Sequence, residues 1–483
     1  MAKWYSYLVK ENLYGIAIHV VALVAGLFSI IIFPNIMGKD EFGYFSVASA
    51  VATSWLLFSD AGISQVALKF IPFKGDGATS RAYYSYLLRL KVPFALVASI
   101  ALFLGSDIIA VNLMDMPEVG VGLKLSALLA FFMSFSTYFE KILYSLKRTR
   151  YILISNSIFQ ACRLGVPIVL FYAFMKQWVW VLVGTVVAYG VYLALLHIYV
   201  RQYLPAKKEN AKINHYALRQ YLLYSFIGYV GITLVINIDP LVIGLSQGAD
   251  QVAAYRVAWL WVTSAITIVM STQNILFSAH ARESMEKSRA IVSRALRYAF
   301  AGSFLAISGI VLLSGKMLTF IYSGKYSESY AIMAILSFII LEGALNAVSI
   351  PVLLGKGRIR MQTFLSLGAG ILQLVAMLII TPVYGIVGTA ICVVCIRVLL
   401  ALVTAGYALW ILKIRVAILG YAVPVVSAVV VVFAFGPYAK VAHDMVGVVI
   451  VGIGITLAYS LMMFVTRTIT VKELTDLVKV AIH

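Results

Sequence analysis

Charged residues are scarce in this chain. Asp, Glu, Lys and Arg together make up 12% of its 483 residues, and 62% of the residues are apolar. A soluble globular domain carries roughly 25% charged residues. The composition therefore excludes a water-soluble fold and indicates a chain that is dissolved in lipid.

Cysteine is also rare, with three residues in the whole chain. Cys392 and Cys395 have C-x-x-C spacing, but they lie in an apolar stretch without further metal ligands. We interpret them as packing residues. The G-x-x-x-x-G-K-[ST] motif is missing, which excludes nucleotide hydrolysis through a P-loop. We expect neither a metal site nor a cofactor.

Long apolar runs are what the chain has instead. A membrane-spanning helix needs about 20 mostly apolar residues, and about fourteen stretches meet that need. They begin near residues 13, 44, 90, 119, 151, 178, 218, 252, 298, 330, 361, 386, 416 and 446. Runs of this length predict helices and not a barrel, whose strands are short and alternate in polarity. The predicted fold class is an all-α polytopic membrane protein.

The excess of basic residues follows the predicted topology. If the N-terminus is cytoplasmic, most Lys and Arg residues fall on inner segments. One inner group contains Lys69, Lys74, Arg81, Arg89 and Lys91. The outer loops hold Lys39, Lys176, Lys316, Lys325 and Lys440. This bias is the positive-inside rule, and it predicts that both termini are cytoplasmic. The net charge of +19 is thus a topology signal, with some attraction to anionic lipids, and we expect no nucleic-acid partner.

Two segments of the chain resemble each other at an offset of 210 residues. "GKDEFGYFSVASAVATS" begins at Gly38 and "GADQVAAYRVAWLWVTS" at Gly248, and "RTR" from Arg148 falls on "RIR" from Arg358. The offset spans six helices, so both halves enter the membrane from the same side. Such halves are related by a pseudo-twofold axis along the membrane normal, which is a transporter architecture. We predict an N-terminal lobe (1–200), a cytoplasmic linker (201–219), a C-terminal lobe (220–412), and two more helices with a cytoplasmic tail (413–483).

Short patterns along nearly the whole chain carry a family resemblance. They are "GKDEFGYFSVA", "DAGISQVALKF", "INIDPLVIGLSQGADQVAAYRVA", "QNILFSAHAR", "IYSGKYSESY" and "GKGRIR…TPVYGIVGTAI". With them the chain resembles the multidrug/oligosaccharidyl-lipid/polysaccharide (MOP) exporter superfamily, in its polysaccharide-biosynthesis or O-antigen-type flippase branch. The resemblance implies a bacterial inner-membrane protein that flips an undecaprenyl-diphosphate-linked oligosaccharide. It also implies a cavity lined by helices one, two, seven and eight, and contact with membrane lipids and with other polysaccharide-biosynthesis proteins.

Six charged residues lie deep within predicted helices, where exposure to lipid would cost a few kcal/mol each. We therefore expect all of them to face protein or water. They are Asp60, Arg163, Asp239, Arg256, Glu342 and Arg397.

The three acids among them are candidates for ion coupling or for a gate. Asp60, in "FSDAGISQV", is predicted to face the central cleft. It is either a structural carboxylate bound by Ser or Tyr hydroxyls, or a group that couples transport to H+ or Na+. Asp239 is expected to pair with Arg256, either to fix a helical hairpin or to gate the outer mouth. Pro240 predicts a helix break beside it. Glu342 is the third candidate.

The three arginines are candidates for binding the substrate diphosphate. A planar guanidinium group matches phosphate oxygens in a bidentate way. Arg256, Arg163 and Arg397 are therefore the predicted substrate contacts. For Arg163 and Arg397 the alternative is structural, with Glu342 or other nearby groups neutralised by the arginine.

Three other functions stay open at this point. A cation-coupled multidrug exporter of the same superfamily would favour acids over arginines in its cavity. A membrane glycosyltransferase or polymerase would need larger outer loops than segments such as "GKDEFGY". The last is a scaffold for a biosynthetic complex.

Overall fold

The computed structural model describes residues 2–71, 77–204, 213–270, 285–355, 358–414, 419–442, 444–466 and 468. Parts of the predicted linker (205–212) and of the predicted tail (469–483), and the pattern "QNILFSAHAR" (273–282), lie outside these ranges. Within the described ranges the chain forms helices and no strand. The predicted all-α class is therefore confirmed.

The helices follow one another with short connections. In chain order they are α1 (Ala2–Ile36), α2 (Lys39–Asp60), α3 (Ile63–Phe70), α4 (Gly77–Ile108), α5 (Gly120–Ser145), α6 (Thr149–Ala173), α7 (Trp178–Tyr203), α8 (His215–Asn237), α9 (Asp239–Gln247), α10 (Ala249–Met270), α11 (Met285–Tyr322), α12 (Ser329–Leu336), α13 (Ile339–Gly355), α14 (Ile359–Leu412), α15 (Leu419–Val441) and α16 (Met445–Val465). A π-helical turn (Ile109–Leu113) and a 3-10 turn (Pro117–Val119) connect α4 to α5.

The number of spans agrees with the sequence prediction. In the described residues, 12 helical segments are long and apolar enough to cross a membrane. One of them, Arg360–Leu412, has 53 residues and a non-helical residue, Gly385 (φ 61°), near its middle. At 1.5 Å per residue this is about 80 Å of helix, enough for two crossings of a 30 Å hydrocarbon core. With α10, these segments make a polytopic membrane protein of about fourteen spans.

The sequence repeat reappears in the positions where helices begin. Helix α2 begins at Lys39 and α10 at Ala249, and each follows a glycine at the residue before it. Helix α6 begins at Thr149 and α14 at Ile359, and each follows an arginine as N-cap. Both pairs are separated by the predicted offset, so the repeat is a repeat of helical elements.

Packing divides the chain into two compact units. Unit 1 comprises Met1–Arg256 and Ser366–Gly385, and unit 2 comprises Val257–Leu365 and Ile386–His483. This division follows contacts and not the sequence repeat, so the lobe boundaries stay a prediction.

Within unit 1, α5 is the central helix. It packs against α2, α3, α4 and α7, while α6 packs against α1 and α7. The core around it is aromatic and aliphatic, and Tyr138, Leu87 and Ile142 are fully buried there. Interior positions on these spans are therefore closed to lipid, which is the setting that a buried charge requires.

Within unit 2, α11 is the helix that the others surround. It packs against α12, α13, α15 and α16. One apolar cluster joins α11 to α13 and the second half of α14, and another joins α11 to α15 and α16. Helices α15 and α16 are the two that follow the repeat.

Candidate functional site

The first polar cluster lies where helix two of the predicted spans is interrupted. Helix α2 ends at Asp60, and the next two residues, Ala61 (φ 47°) and Gly62 (φ 75°), are both left-handed. Consecutive left-handed residues end a right-handed helix. A Cβ on Gly62 would lie 2.9 Å from the backbone carbon of Ser225 in α8. The break therefore needs glycine for both its φ angle and its close contact.

The Asp60 carboxylate is bound by two residues in the interior of unit 1, and the Ser64 backbone N–H donates to its Oδ2 at 3.4 Å. Lys91 Nζ of α4 and Ser64 Oγ of α3 both donate to Asp60 Oδ1. The ammonium lies 5.7 Å from the ring centroid of Phe135 and 5.6 Å from that of Tyr138. The Lys91 side chain is 0% exposed and that of Asp60 is 4% exposed. The two charges thus neutralise each other inside the packed helices.

This arrangement corrects two sequence predictions. Asp60 faces the packed interior of unit 1, where its neighbours are Ser64 and Lys91, and not an open cleft. Lys91 is a buried partner and not a cation of an inner loop. The hydroxyl contact expected for a structural Asp60 is confirmed by Ser64. A coupling role for Asp60 stays a prediction.

The second polar cluster surrounds Asp239 at another helix break. Helix α8 ends at Asn237 and α9 begins at Asp239, with Pro240 in its first turn, so the predicted break is confirmed. Asp239 is 1% exposed. Tyr255 Oη donates to its Oδ2 at 3.0 Å, and Gln373 Nε2 donates to its Oδ1 at 2.8 Å. Among the described residues, no donor binds Gln373 Oε1, although this atom is buried.

Two predicted arginines, Arg163 and Arg256, belong to the same unit as this Asp239 cluster, and the charges of Asp239 and Arg163 both act on the Arg256 guanidinium. Arg163 and Arg256 are each partly exposed. The predicted Asp239–Arg256 pair stays a prediction. Arg256 interacts with the carboxylate through charge, and the hydrogen bonds described for the carboxylate come from Tyr255 and Gln373.

The third polar cluster lies in unit 2 and joins the remaining two predicted residues. Arg397 Nε donates to Glu342 Oε2 at 2.6 Å, and both residues are buried. Asn346 Nδ2 donates to Glu342 Oε1 at 3.3 Å. The Arg397 guanidinium carbon lies 5.0 Å from the ring centroid of Trp259. Of the two alternatives for Arg397, the geometry matches neutralisation of Glu342.

Sequence reasoning missed three residues of these clusters. Lys91, Tyr255 and Gln373 each contact a predicted acid from a different helix. Asp60 itself was the available signal, because a carboxylate deep in a span requires a counter-charge. No group of three or more His, Cys, Asp or Glu residues that could hold a metal ion occurs in the described ranges.

The fold and these clusters can now be compared with known proteins. A family model described as "Polysaccharide biosynthesis protein" matches residues 8–260, more than half of the chain. The chain belongs to this polysaccharide biosynthesis family. The predicted resemblance to a polysaccharide-biosynthesis family is thereby confirmed. No curated protein matches the sequence.

Solved structures agree with the family in fold. The lipid II flippase MurJ, in an inward closed conformation, has a TM-score of 0.72 at 13% identity and covers 93% of this chain and 98% of its own. An inward-facing multidrug resistance MATE transporter has a TM-score of 0.62 at 13% identity, with 83% and 94% covered. A MOP superfamily transporter from Pyrococcus furiosus has a TM-score of 0.61 at 13% identity and covers 84% of this chain and 95% of its own. One of the three is described as a flippase and two as transporters.

Proposed function

We propose that this protein is a flippase for a lipid-diphosphate-linked oligosaccharide in the bacterial inner membrane. The headgroup would move from the inner to the outer leaflet by alternating access, with the lipid tail left in the bilayer. The observation that carries the proposal is that Arg163 and Arg256 are partly exposed cations on helices α6 and α10 of the same unit.

The charge balance of this cluster favours an anionic ligand. Two guanidinium groups and the carboxylate of Asp239 leave an excess of positive charge, which is costly within a bilayer. That excess is one positive charge, which a phosphate or diphosphate group would offset. Its oxygens suit bidentate hydrogen bonds from arginine. Arg397 is a weaker candidate contact, because Glu342 already holds its Nε.

The family and the predicted topology support the rest of the proposal. The matched family is one of polysaccharide biosynthesis, and the MurJ structure is that of a lipid II flippase. We propose an undecaprenyl-diphosphate-linked repeat unit as substrate, and other polysaccharide-biosynthesis proteins as partners. Both termini would be cytoplasmic, because the basic residues lie on that side of the predicted topology.

For ion coupling we propose Asp239 ahead of Asp60 and Glu342, because Gln373, which donates to the Asp239 carboxylate, also carries a buried oxygen that no described donor binds. Beside Asp239, the buried oxygen Gln373 Oε1 could join the carboxylate in holding Na+, or the carboxylate could take up H+. In proteoliposomes, D239N should remove the stimulation of transport by a Na+ or H+ gradient. Equal stimulation in D239N and wild type would rule this role out.

The experiment that tests the main proposal locates the lipid-linked oligosaccharide. The gene is deleted in its native host, and spheroplasts are treated with an impermeant sugar-labelling reagent. Accumulation on the inner leaflet supports a flippase, and accumulation on the outer leaflet means a polymerase or ligase instead. Complementation with R163A or R256A should fail at equal expression, whereas K124M, which alters a surface ion pair, should restore transport.

A multidrug exporter is the second candidate function. Similarity to the MATE transporter favours it, and so do the three intramembrane acids. On this alternative, the deletion strain would become sensitive to cationic drugs without accumulating lipid-linked oligosaccharide.

A further inference from the structure

One more acid within a membrane span lies outside the three polar clusters. Glu140 is on α5, five residues before the helix ends at Ser145, and the basic residues Lys147 and Arg148 follow. Five residues of helix rise about 8 Å, and the positive-inside rule puts this end of α5 at the cytoplasmic side. Glu140 is partly exposed, so its carboxylate can exchange a proton with water at the inner face.

The Glu140 carboxylate is bound by a hydroxyl group and not by a cation. Tyr192 Oη of α7 donates to Glu140 Oε2 at 3.0 Å, and Tyr192 is buried. Glu140 takes part in none of the ion pairs described within 4 Å. The charges of Lys141 and His19 act on it without forming such a pair. Its negative charge is therefore less compensated than that of the acids in the first and third clusters.

A row of aromatic side chains connects Glu140 with Arg163. On α6, Phe159 lies one turn before Arg163. The Phe159 ring centroid is 4.6 Å from that of Tyr189 and 4.8 Å from that of Tyr192, the residue that binds the carboxylate. The charges of Arg163 and Glu140 both act on Tyr189. The carboxylate and the guanidinium thus belong to one polar region between α5, α6 and α7.

Other titratable groups lie on two sides of Glu140. Its charge acts on Tyr144, one turn later on α5, and Lys141 Nζ lies 5.8 Å from the Tyr144 ring centroid. The buried Lys91 lies against α5 at Tyr138, on the opposite side of the helix from Glu140, because two residues of helix turn about 200°. The charged side chains described on the Glu140 side are Lys141 of α5, His19 of α1 and Arg163 of α6.

Arg163 requires a negative charge in its surroundings when no ligand is bound. It is 14 residues after Thr149, the first residue of α6, which is about 21 Å along the helix. An unbalanced cation at that depth is costly, and Asp239 balances only one of the two arginines. An ionised Glu140 supplies the second negative charge. When an anionic ligand binds, that charge repels it in a region of low dielectric, and protonation of Glu140 removes the repulsion.

We propose that Glu140 is the counter-charge that the anionic headgroup replaces: it is ionised in the empty site and takes up a proton when a phosphate or diphosphate group binds at Arg163. The inference rests on the proposed function and adds its regulation by pH. By linkage, a ligand that favours protonated Glu140 binds more tightly where Glu140 is already protonated. Affinity for the headgroup should therefore increase as the pH falls through the titration range of Glu140.

The variant E140Q tests this exchange, because the amide resembles the protonated carboxyl and does not titrate. Protein in phosphatidylcholine nanodiscs is titrated calorimetrically with farnesyl diphosphate, a soluble prenyl diphosphate. The pH is varied between about 5 and about 9, which covers ordinary and strongly perturbed carboxyl groups. The Kd of wild type divided by that of E140Q cancels the titration of the ligand itself. This ratio should be smallest at the acid end and rise at least about fivefold towards the alkaline end.

The same calorimetry measures the protons taken up on binding. Titrations in buffers of different ionisation enthalpy give the number of protons bound per ligand, and wild type should take up more of them than E140Q. E118Q is the matched control, since Glu118 is an exposed acid in the turn before α5, and it should behave as wild type does. H19Q should keep the pH dependence, because the imidazole only modulates the charge on Glu140.

Two results would overturn the inference while the proposed function stands. A Kd ratio that does not change with pH would mean that Glu140 keeps its charge when the ligand binds. Loss of the pH dependence in H19Q but not in E140Q would assign it to His19.

Two further results separate the inference from the proposed function. If wild type binds farnesyl diphosphate at no pH, both fail. If the predicted pH dependence is found but deletion of the gene causes no accumulation of lipid-linked oligosaccharide on the inner leaflet, the role of Glu140 stands and the proposed function falls. Equal affinity for inorganic diphosphate would support the charge exchange and show that the site recognises the diphosphate without the lipid.

Discussion

Replacing Lys91 with methionine removes the buried cation that faces Asp60 while it keeps a side chain of similar length. The carboxylate would then be left without its counter-charge in the interior of unit 1. Removing one partner of a buried ion pair costs about 3–5 kcal/mol, because the other charge stays buried and uncompensated. A whole protein has a free energy of unfolding of about 5–15 kcal/mol. K91M should therefore be one of the most destabilising single changes in this chain.

The measurement is the apparent Tm of purified protein in detergent, followed by tryptophan fluorescence. With an unfolding entropy of about 2.1 cal/mol/K per residue, 1 kcal/mol corresponds to about 1 °C for a chain of 483 residues, so K91M should unfold roughly 3–5 °C below wild type. The double variant D60N/K91M buries no charge and should recover much of the loss. K124M is the matched control: Lys124 Nζ lies 2.9 Å from Asp107 Oδ2, but the side chains are 37% and 65% exposed. Such a pair contributes about 0–1 kcal/mol.

Two results would refute this reasoning. If K91M unfolds at the wild-type temperature, the pair does not contribute to stability as its burial implies. If D60N/K91M is as unstable as K91M, the loss comes from the missing lysine stem and not from the unpaired carboxylate.

Three further predictions concern the other clusters, all measured as apparent Tm. G62A places a side chain at a left-handed position, which costs about 1–2 kcal/mol, and against the backbone of α8. It should therefore lower the Tm, while the control G368A, at a glycine where a Cβ would meet no atom within 4 Å, should not. Equal Tm values for G62A and wild type would contradict the proposed need for glycine at the break. R397M leaves the Glu342 carboxylate buried without its counter-charge and should lower the free energy of unfolding by about 3–5 kcal/mol. Adding E342Q should restore part of that stability. No recovery would mean that the packing of Arg397 against the Trp259 ring dominates. Y255F deletes one hydrogen bond to a carboxylate and should cost about 1.5–3 kcal/mol; an unchanged Tm would show that this bond is replaced by another donor.

The spans could be predicted because their signal is local. About 20 apolar residues suffice to identify a membrane-crossing helix, and each predicted start within the described ranges falls within or beside a helix, while the start near residue 416 lies outside them. The break at Pro240 was also predictable, since proline removes a backbone donor. The break after Asp60 was not predicted as such, because glycine occurs in many continuous helices and the contact of Gly62 with Ser225 joins distant parts of the chain.

The partners of the buried acids were harder to predict because they depend on packing between helices. Lys91 follows Arg89 at the start of an apolar run, and this position has the same sequence pattern as a cation at the membrane surface. Only the depth of α4 relative to α2 shows whether Lys91 is a buried partner of Asp60 or a cation at the membrane surface. Gln373 is neutral and lies far along the chain from Asp239, so nothing in its sequence context indicates the contact. For Arg397, the sequence left open whether it contacts the substrate or neutralises Glu342, and the ion pair with Glu342 matches the second alternative.

The equal spacing of helix starts in the two halves carries a consequence for the origin of the charges. At the offset of the repeat, Asp60 corresponds to Met270, Lys91 to Ala301, and Arg256 to Ser46. The halves share where α2 and α10 begin, with Asp40 and Asp250 in the first turns, but they do not share Asp60 or Arg256. If a gene duplication produced the halves, the helical framework was inherited by both copies and the charges were acquired or lost in each copy separately. The two halves would then have different roles. Replacing one half with a second copy of the other would preserve the spans but remove the charged residues that only the replaced half carries.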